Sequence, residues 1–413
     1  MTLRVGVVSG RQLPTEGGGW TFVAGISGAL KRVQTRNDYL FVDDMIERED
    51  AAVEKNWDSR NLPRRILRRA FREGIGMARK IAPQGLRRLV VKTKDADGYP
   101  ELLQAVVEQQ KLDMVWFITQ ASVPVRGPFI VTVWDLEHRE QPCFPEVSVT
   151  GWRWMERERH YKAVLPRASF VITGTQAGKE QVVRYYGVNP KNVKVIQFPI
   201  PEKDLQLTSV DILALREKYQ IKGDFLFYPA QFWPHKNHIN LLLALDILRK
   251  RNGLRVNLVL TGSDKGNRRY VLEKVSEWGL SDQVFDLGFV SREELNTLYG
   301  NALALVFPSF FGPDNLPPLE AFSLACPVIA SRITGAEEQL SGGALLFDPA
   351  DPVDIADKVL AVTADAALRS RLTGEGAKIA LLRTPERYIA QVEEILDGFA
   401  AIRRCWGLEY RHI

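Results

Sequence analysis

A lysine and a glutamate, each set between a short apolar run and a helix start, have the chemistry to hold a phosphorylated sugar. Lys236 lies in YPAQFWPHKNH (228–238), just after the strand-like FLFYPA (225–230) and one residue before Asn237, a candidate N-cap. An ammonium there can neutralise a diphosphate and stabilise it as it departs. Glu320 lies in PSFFGPDNLPPLEAFSLACPVIAS (308–331), between the apolar runs ALALVF (302–307) and PVIAS (327–331). Strand, loop, helix, strand is one βαβ unit. Asn315 is its candidate N-cap, and Pro317 and Pro318 fall in the first turn, where a missing N–H costs nothing. A helix start facing the carboxyl end of a strand attracts anions through its dipole and its free N–H groups. A carboxylate repels phosphate but accepts hydrogen bonds from neighbouring hydroxyls, so Glu320 suits a pentose next to a diphosphate. A plain crossover with a solvated glutamate and a solvated loop lysine would leave the same pattern.

The first half carries a second set. Gly17, Gly18 and Gly19 sit in TEGGGW (15–20), between a strand-like start and a helical pattern. Glycines let a ligand approach the backbone closely and supply N–H donors, and a tight turn would use them equally well. Phe22 stands where a dinucleotide fingerprint needs its third glycine, so the loop looks made for a sugar phosphate. In TVWDLEHREQPCFPE (132–146), Asp135 and His138 follow an apolar strand on its crevice side. His138 has the chemistry of a hydrogen-bond donor or acid–base group, or of a packed core residue. Trp134 is either a sugar-stacking face or core. His235 and His238 match no metal spacing and read as loop or capping residues, so no metal site is expected. GTQAGKE (174–180) is not a P-loop, because three residues separate its glycines and Glu180 follows the lysine. No Gly-x-Ser-x-Gly elbow appears.

These residues need elements to position them. Strand-like segments at 3–9, 39–44, 112–118, 128–135, 169–175 and 193–200 alternate with helical patterns at 20–32 and 176–187. After the Pro-headed polar stretch 201–211, a linker, the rhythm restarts: strands at 225–230, 255–262, 284–289, 302–309, 327–331 and 344–348, helices at 237–252, 268–279, 291–301 and 316–325. Alternation of this kind predicts two α/β domains, each a doubly wound parallel sheet, with carboxyl-end crevices facing across a cleft. The boundaries fall at 1–200 and 212–384, with a terminal helix, 385–413, packing back on the first domain. A chain of 413 residues, 45% hydrophobic and 25% charged, supports two such cores.

Composition adds limits. Cys143, Cys326 and Cys405 are scattered, which fits a reducing compartment without a disulfide framework. The amino terminus reads as a strand rather than a signal peptide, and no run approaches the ~18 apolar residues of a membrane span. The net charge of +5 is concentrated: residues 60–94 carry twelve Lys/Arg against Glu73 alone, with apolar residues interleaved. That segment suits an anionic membrane surface; nucleic acid and a solvated basic face are the rival readings of the same charge.

With these pieces in place, the chain resembles the retaining glycosyltransferases of the GT-B fold, of the family 4 (group 1) type. The resemblance is carried by YPAQFWPHKN, LVLTG, DLGFVSREELNTLYGNALALVFPS, LPPLEAFSLACPVIAS and ALLFDPADP, and is strongest from 225 to 350. It implies that Gly17, Gly18 and Gly19 approach the donor phosphates and that Lys236 binds the diphosphate. Phe289 and Val290 would offer backbone to the nucleobase, Asn315 and Leu316 amides would line the sugar-phosphate pocket, and Glu320 would hold the ribose. This sequence departs from the pattern. The family's first glutamate falls at Gly312, the Gly-Phe-Gly after it reads Pro313-Asp314-Asn315, its usual basic residue falls at Gln231, and its His-Asp pair reads Trp134–Asp135. Asp314 or His138 is left to take over the hydroxyl contacts.

The implied activity is metal-independent transfer of a hexosyl or deoxyhexosyl unit to a glycan or lipid-linked acceptor in cell-surface polysaccharide synthesis. The co-substrate is a nucleotide-diphosphate sugar and no other cofactor is implied. Lys236, Glu320, Asp135 and His138 form the catalytic set. The location is cytoplasmic, peripheral at the inner face of the membrane, with no nucleic-acid partner. The absent first glutamate leaves an alternative, a non-catalytic GT-B scaffold that binds nucleotide sugar.

Overall fold

A computed structural model describes residues 1–10, 18–46, 99–200 and 210–407. Gly17, the basic segment 60–94, most of the linker 201–211 and Tyr410 lie outside the described residues. Twelve strands build two six-stranded sheets, parallel throughout. The first contains β1 (Arg4–Val8), β2 (Asp38–Phe41), β3 (Met114–Phe117), β4 (Phe129–Val133), β5 (Phe170–Thr173) and β6 (Val193–Val195). The second contains β7 (Phe225–Pro229), β8 (Asn257–Thr261), β9 (Val284–Asp286), β10 (Ala304–Phe307), β11 (Val328–Ser331) and β12 (Ala344–Phe347). Every residue of β3, β4, β10 and β11 is buried, because helices cover both faces of each sheet.

Strand order fixes where a ligand can sit. The first sheet runs β2-β1-β3-β4-β5-β6 and the second β12-β11-β10-β7-β8-β9. In the second sheet the chain leaves β7 toward β8 and β9, and the later strands grow from its other side. The switch point is therefore the β7–β10 pair, in register at Leu226–Ala304 and Phe227–Leu305. Loops leaving two strands that diverge at such a point open a crevice between them. The loop after β7 carries Lys236; the loop after β10 leads to Glu320.

All twelve expected strands are present, each shorter than expected. Helices at Tyr99–Gln109, Trp154–Val164, Ile212–Tyr219, Pro352–Ala364 and Ala366–Leu381 had no counterpart in the sequence reading. WMERERHYKAV, the second of these, is charged nearly all round and shows no apolar stripe. Asp211, read as linker, caps the third by accepting from the Leu213 amide.

The helix Pro385–Arg403 returns to the first sheet and packs on the helix Gly18–Leu30. The buried Glu393 carboxylate accepts from the Arg36 amide (2.8 Å), Asn37 Nδ2 (3.1 Å) and the Tyr39 hydroxyl. At its far end Arg403 pairs with Asp113 at 2.9 Å. Tyr388 lies nearly parallel to Trp116, with Phe22 meeting it edge-on. The last helix thus joins the second domain to the first by apolar packing and by charges held with partners.

Candidate active site

The carboxyl ends of the two sheets face one cleft of about 580 Å³. Lys236 and Glu320 both line it. The β7 loop reaches Lys236 through a single 3-10 turn, Pro234–Lys236, and leaves through Asn237 with φ of 59°. Tyr228 donates to the Lys236 carbonyl at 2.6 Å. Asn237 does not cap the helix that follows: its Nδ2 donates to the carbonyls of Pro308 (2.9 Å) and Pro349 (2.8 Å), stapling the β7 loop to the loops after β10 and β12. The Lys236 ammonium sits 5.1 Å from the centre of the Phe307 ring. Among the described residues no carboxylate comes within ion-pair distance of it. Burial pulls its pKa down to about 8, against the opposing pull of Asp135, Glu146 and Glu137.

Glu320 sits one turn into the helix Leu316–Ser323, where both of its oxygens have partners. Arg292 Nη2 donates to Oε1 at 3.2 Å and the Tyr299 hydroxyl to Oε2 at 3.1 Å. Neither partner was singled out in the sequence. A ligand pentose would exchange hydroxyls for these contacts or share the carboxylate with them. The helix tip is poorer in donors than expected. Asn315 occupies the N-cap position, but its side chain turns back to the carbonyls of Phe311 and Gly312. Pro317 and Pro318 remove two of the first N–H groups, so the tip keeps its dipole while offering few hydrogen bonds.

The remaining expected residues divide. Gly18 and Gly19 line the cleft at the start of their helix, and Gly18 comes close enough that an added Cβ would touch Leu316. Gln231, Phe289, Val290, Asp314, Asn315 and Leu316 also line it. Gln231 accepts from the Trp233 indole at 3.0 Å, and the Phe289 ring is 66% exposed at the mouth. Asp135 lines the cleft and is held by Arg157 at 2.9 Å, another residue the sequence reading passed over. His138 is a correction. It is fully buried, outside the cleft lining, stacked on Tyr161 and bonded through Nε2 to the Tyr186 hydroxyl at 3.1 Å. The short helix Glu137–Glu140 points it into the layer behind the cleft, where burial lowers its pKa to about 4. It is therefore in no position to replace the absent glutamate.

Gly312 has φ of +114°, and a Cβ there would fall 2.6 Å from Asn315 Oδ1, so this loop has no room for a glutamate at the position. Carboxylates of the first domain crowd in instead. The Gly312 amide donates to Glu137. Glu146 accepts from the His235 amide at 2.9 Å and from His235 Nδ1. Among the described residues no group of three or more His, Cys, Asp or Glu gathers as metal ligands, and no helix is long and apolar enough to cross a membrane.

These buried groups set a pH dependence. His138 and His235 are lowered to about 4 and His238 to about 3, all chiefly by burial. Each is neutral in the fold at pH 5 and charged in the unfolded chain, so each adds stability as pH rises toward 6.5. Glu137 and Asp314 are raised to about 8, again chiefly by burial. They keep protons that the unfolded chain gives up near pH 4, so stability falls until pH 8. Three groups outweigh two below pH 6.5; above it the two acids dominate, opposed only weakly up to pH 8 by Lys236, which begins to lose its proton in the fold there. Stability, and with it the melting temperature, is expected to peak near pH 6.5, the unfolding free energy then falling by on the order of 2 kcal/mol by pH 8. Calorimetry from pH 5 to 8 checks it; a flat or rising profile above 6.5 contradicts the buried acids.

Residues 211–379 match the family described as "Glycosyl transferases group 1", and the second domain is a domain of that family. The whole chain has the GT-B glycosyltransferase fold. Anabaena HepE, solved with UDP-glucose, superposes with a TM-score of 0.65 at 19% identity over 96% of this chain and all of that one. WaaG, a lipopolysaccharide glycosyltransferase, gives 0.63 at 14% identity over 95% of this chain and all of its own. In sequence, the O-antigen chain mannosyltransferase B of Escherichia coli is 27% identical over 226 residues, 54% of this chain and 58% of that protein. The O-antigen chain mannosyltransferase RfbU of Salmonella typhimurium is 28% identical over 190 residues, 46% of this chain and 50% of that protein. The chain thus spans little more than half the length of these relatives.

Proposed function

We propose that this protein is a retaining glycosyltransferase that moves a hexosyl unit from a nucleotide-diphosphate sugar to a glycan or lipid-linked acceptor in cell-surface polysaccharide synthesis. The observation that carries the reading is the placement of Lys236 and Glu320 on one cleft wall at the switch point of the second sheet. The pentose meets Glu320, the diphosphate meets Lys236, and the transferred sugar extends toward the first domain. The E. coli and Salmonella relatives favour mannose as the hexose. The leaving diphosphate is stabilised by the ammonium, by Gly18 and Gly19 amides and by the helix dipole, and it takes the acceptor proton during front-face attack. Closure of the cleft keeps water from the activated sugar. The basic segment 60–94 holds the enzyme at the inner face of the membrane, where a lipid-linked acceptor waits.

The test is incubation of the purified protein with GDP-mannose and, separately, UDP-glucose, together with a lipid-linked oligosaccharide extract. Sugar transfer, with a raised melting temperature in the matching nucleotide diphosphate, is the expected result. Gly312 favours a second reading, a scaffold that binds donor without transferring it. Stabilisation by donor with no transfer to any acceptor fraction would select that reading.

A further inference from the structure

Among the buried polar atoms of cleft residues that have no hydrogen-bond partner, three come from two carboxylates and an indole: Glu146 Oε2, Asp314 Oδ1 and Trp134 Nε1; the Ser263 hydroxyl is another. A buried carboxylate oxygen without a donor costs about 1–3 kcal/mol, more when it is charged, so a closed cleft would leave it bare only for a ligand to satisfy. Glu146 is the most constrained of the three. It sits in the short helix Pro145–Ser148 of the first domain and is 7% exposed. Its Oε1 takes two hydrogen bonds from His235 of the second domain. The His235 ring is itself clamped, stacked on Phe311 with ring centres 3.9 Å apart. This arrangement fixes the direction of Oε2. Burial pushes the Glu146 pKa up, but the His235 bonds bring it net below the ordinary carboxylate value, so the oxygen is an anionic acceptor.

Its position says what it accepts from. His235 is the residue before Lys236, so Glu146 lies beside the diphosphate end of the cleft. A carboxylate repels phosphate; it binds hydroxyls. Glu320 occupies one flank of the cation-bearing loop from the second domain, and Glu146 closes it from the first.

Resting on the transferase reading above, we propose that Glu146 recognises the sugar being transferred: its Oε2 accepts a hydrogen bond from one ring hydroxyl of the hexosyl group. Because His235 holds the carboxylate across the cleft, this contact exists only when the domains are closed. Sugar recognition is thereby coupled to closure.

The test is E146Q. Glutamine keeps the shape and leaves an oxygen for the two His235 bonds, but presents an amide N–H₂ where the sugar needs an acceptor. With whichever of GDP-mannose and UDP-glucose the wild type uses, kcat/KM is expected to fall about 100-fold. Affinity for the nucleoside diphosphate should stay within about twofold, and the melting temperature within about a degree. In the wild type, one of the singly deoxygenated donors should lose a comparable factor, and E146Q should be nearly indifferent to the same deletion. A residue that merely clasps the domains would change closure without singling out any hydroxyl. Unchanged kcat/KM in E146Q overturns the assignment, as does a wild type equally tolerant of every deoxy donor. That second experiment needs no variant, so poor folding of E146Q would not shield the idea. A wild type that transfers no sugar removes the transferase reading itself, and this assignment with it.

Discussion

Lys236→Ala should reduce sugar transfer by at least about 100-fold, the scale of deleting one stabiliser of developing charge. The lysine has no carboxylate in ion-pair contact among the described residues and rests over the Phe307 ring, so its charge is uncommitted until a ligand arrives. Two charges develop on the departing diphosphate, and among the described residues no other Lys side chain lines the cleft, whose two arginines, Arg157 and Arg292, are paired with Asp135 and Glu320. The loss should fall mainly on kcat and on diphosphate affinity, while a nucleoside without phosphates binds as before. The pH behaviour gives an independent check. In the free protein the ammonium loses its proton near pH 8, because burial favours the neutral amine. Diphosphate affinity in the wild type should therefore weaken as pH rises beyond 8. A bound diphosphate opposes that loss by favouring the charged form. The variant should lack this step, which calorimetric titrations from pH 7 to 9.5 would show. Unaltered turnover in the alanine variant would remove the proposed mechanism.

The sequence carried every strand of the second domain, and the reason is physical. Strands buried on both faces read as unbroken apolar runs, and LALVF or VIAS cannot be mistaken for surface. Lys236 and Glu320 were legible because each stands just beyond such a run, where α/β sheets place ligands. Their partners were not. Arg292 and Tyr299 reach Glu320 from 28 and 21 positions upstream, on a helix expected at 291–301 whose pattern does not say which of its residues face the site. Arg157 is one of several charges in a stretch without periodicity, and nothing local marks it as the partner of Asp135. His138 looked like a cleft residue because it follows a strand end, but a one-turn helix rotated it to the other side. Glu146 was the least legible. It sits in a four-residue helix of the first domain, and its significance depends on His235, 89 positions away across the cleft. Contacts between domains leave no spacing to read.

Gly174→Ala should cut transfer about 10- to 100-fold while leaving diphosphate affinity intact. Gly174 follows β5 in the first domain and faces Asp314 of the second. A Cβ added there would fall 2.1 Å from Asp314 Oδ1 and 2.4 Å from its Cγ. The backbone is not in the left-handed region, so alanine brings no strain of its own, and its effect isolates the clash. Asp314 has little freedom to yield, since it is deeply buried and raised to about 8 by burial, against the pull of Arg383. Two residues further on, the Gln176 amide donates to both oxygens of Glu338 at 2.8 Å, a contact across the same seam. The cheapest response to the extra methyl is for the domains to separate by an ångström or more. Displacements of that size cost about 100-fold where reacting groups must be aligned. Because Lys236 and Glu320 both belong to the second domain, the nucleotide should still bind. Glu146 and Asp135 come from the first and would be drawn away. Small-angle scattering of the donor-bound variant should give a larger radius of gyration than the wild type. If both scattering and transfer match the wild type, closure at this seam is not what completes the site.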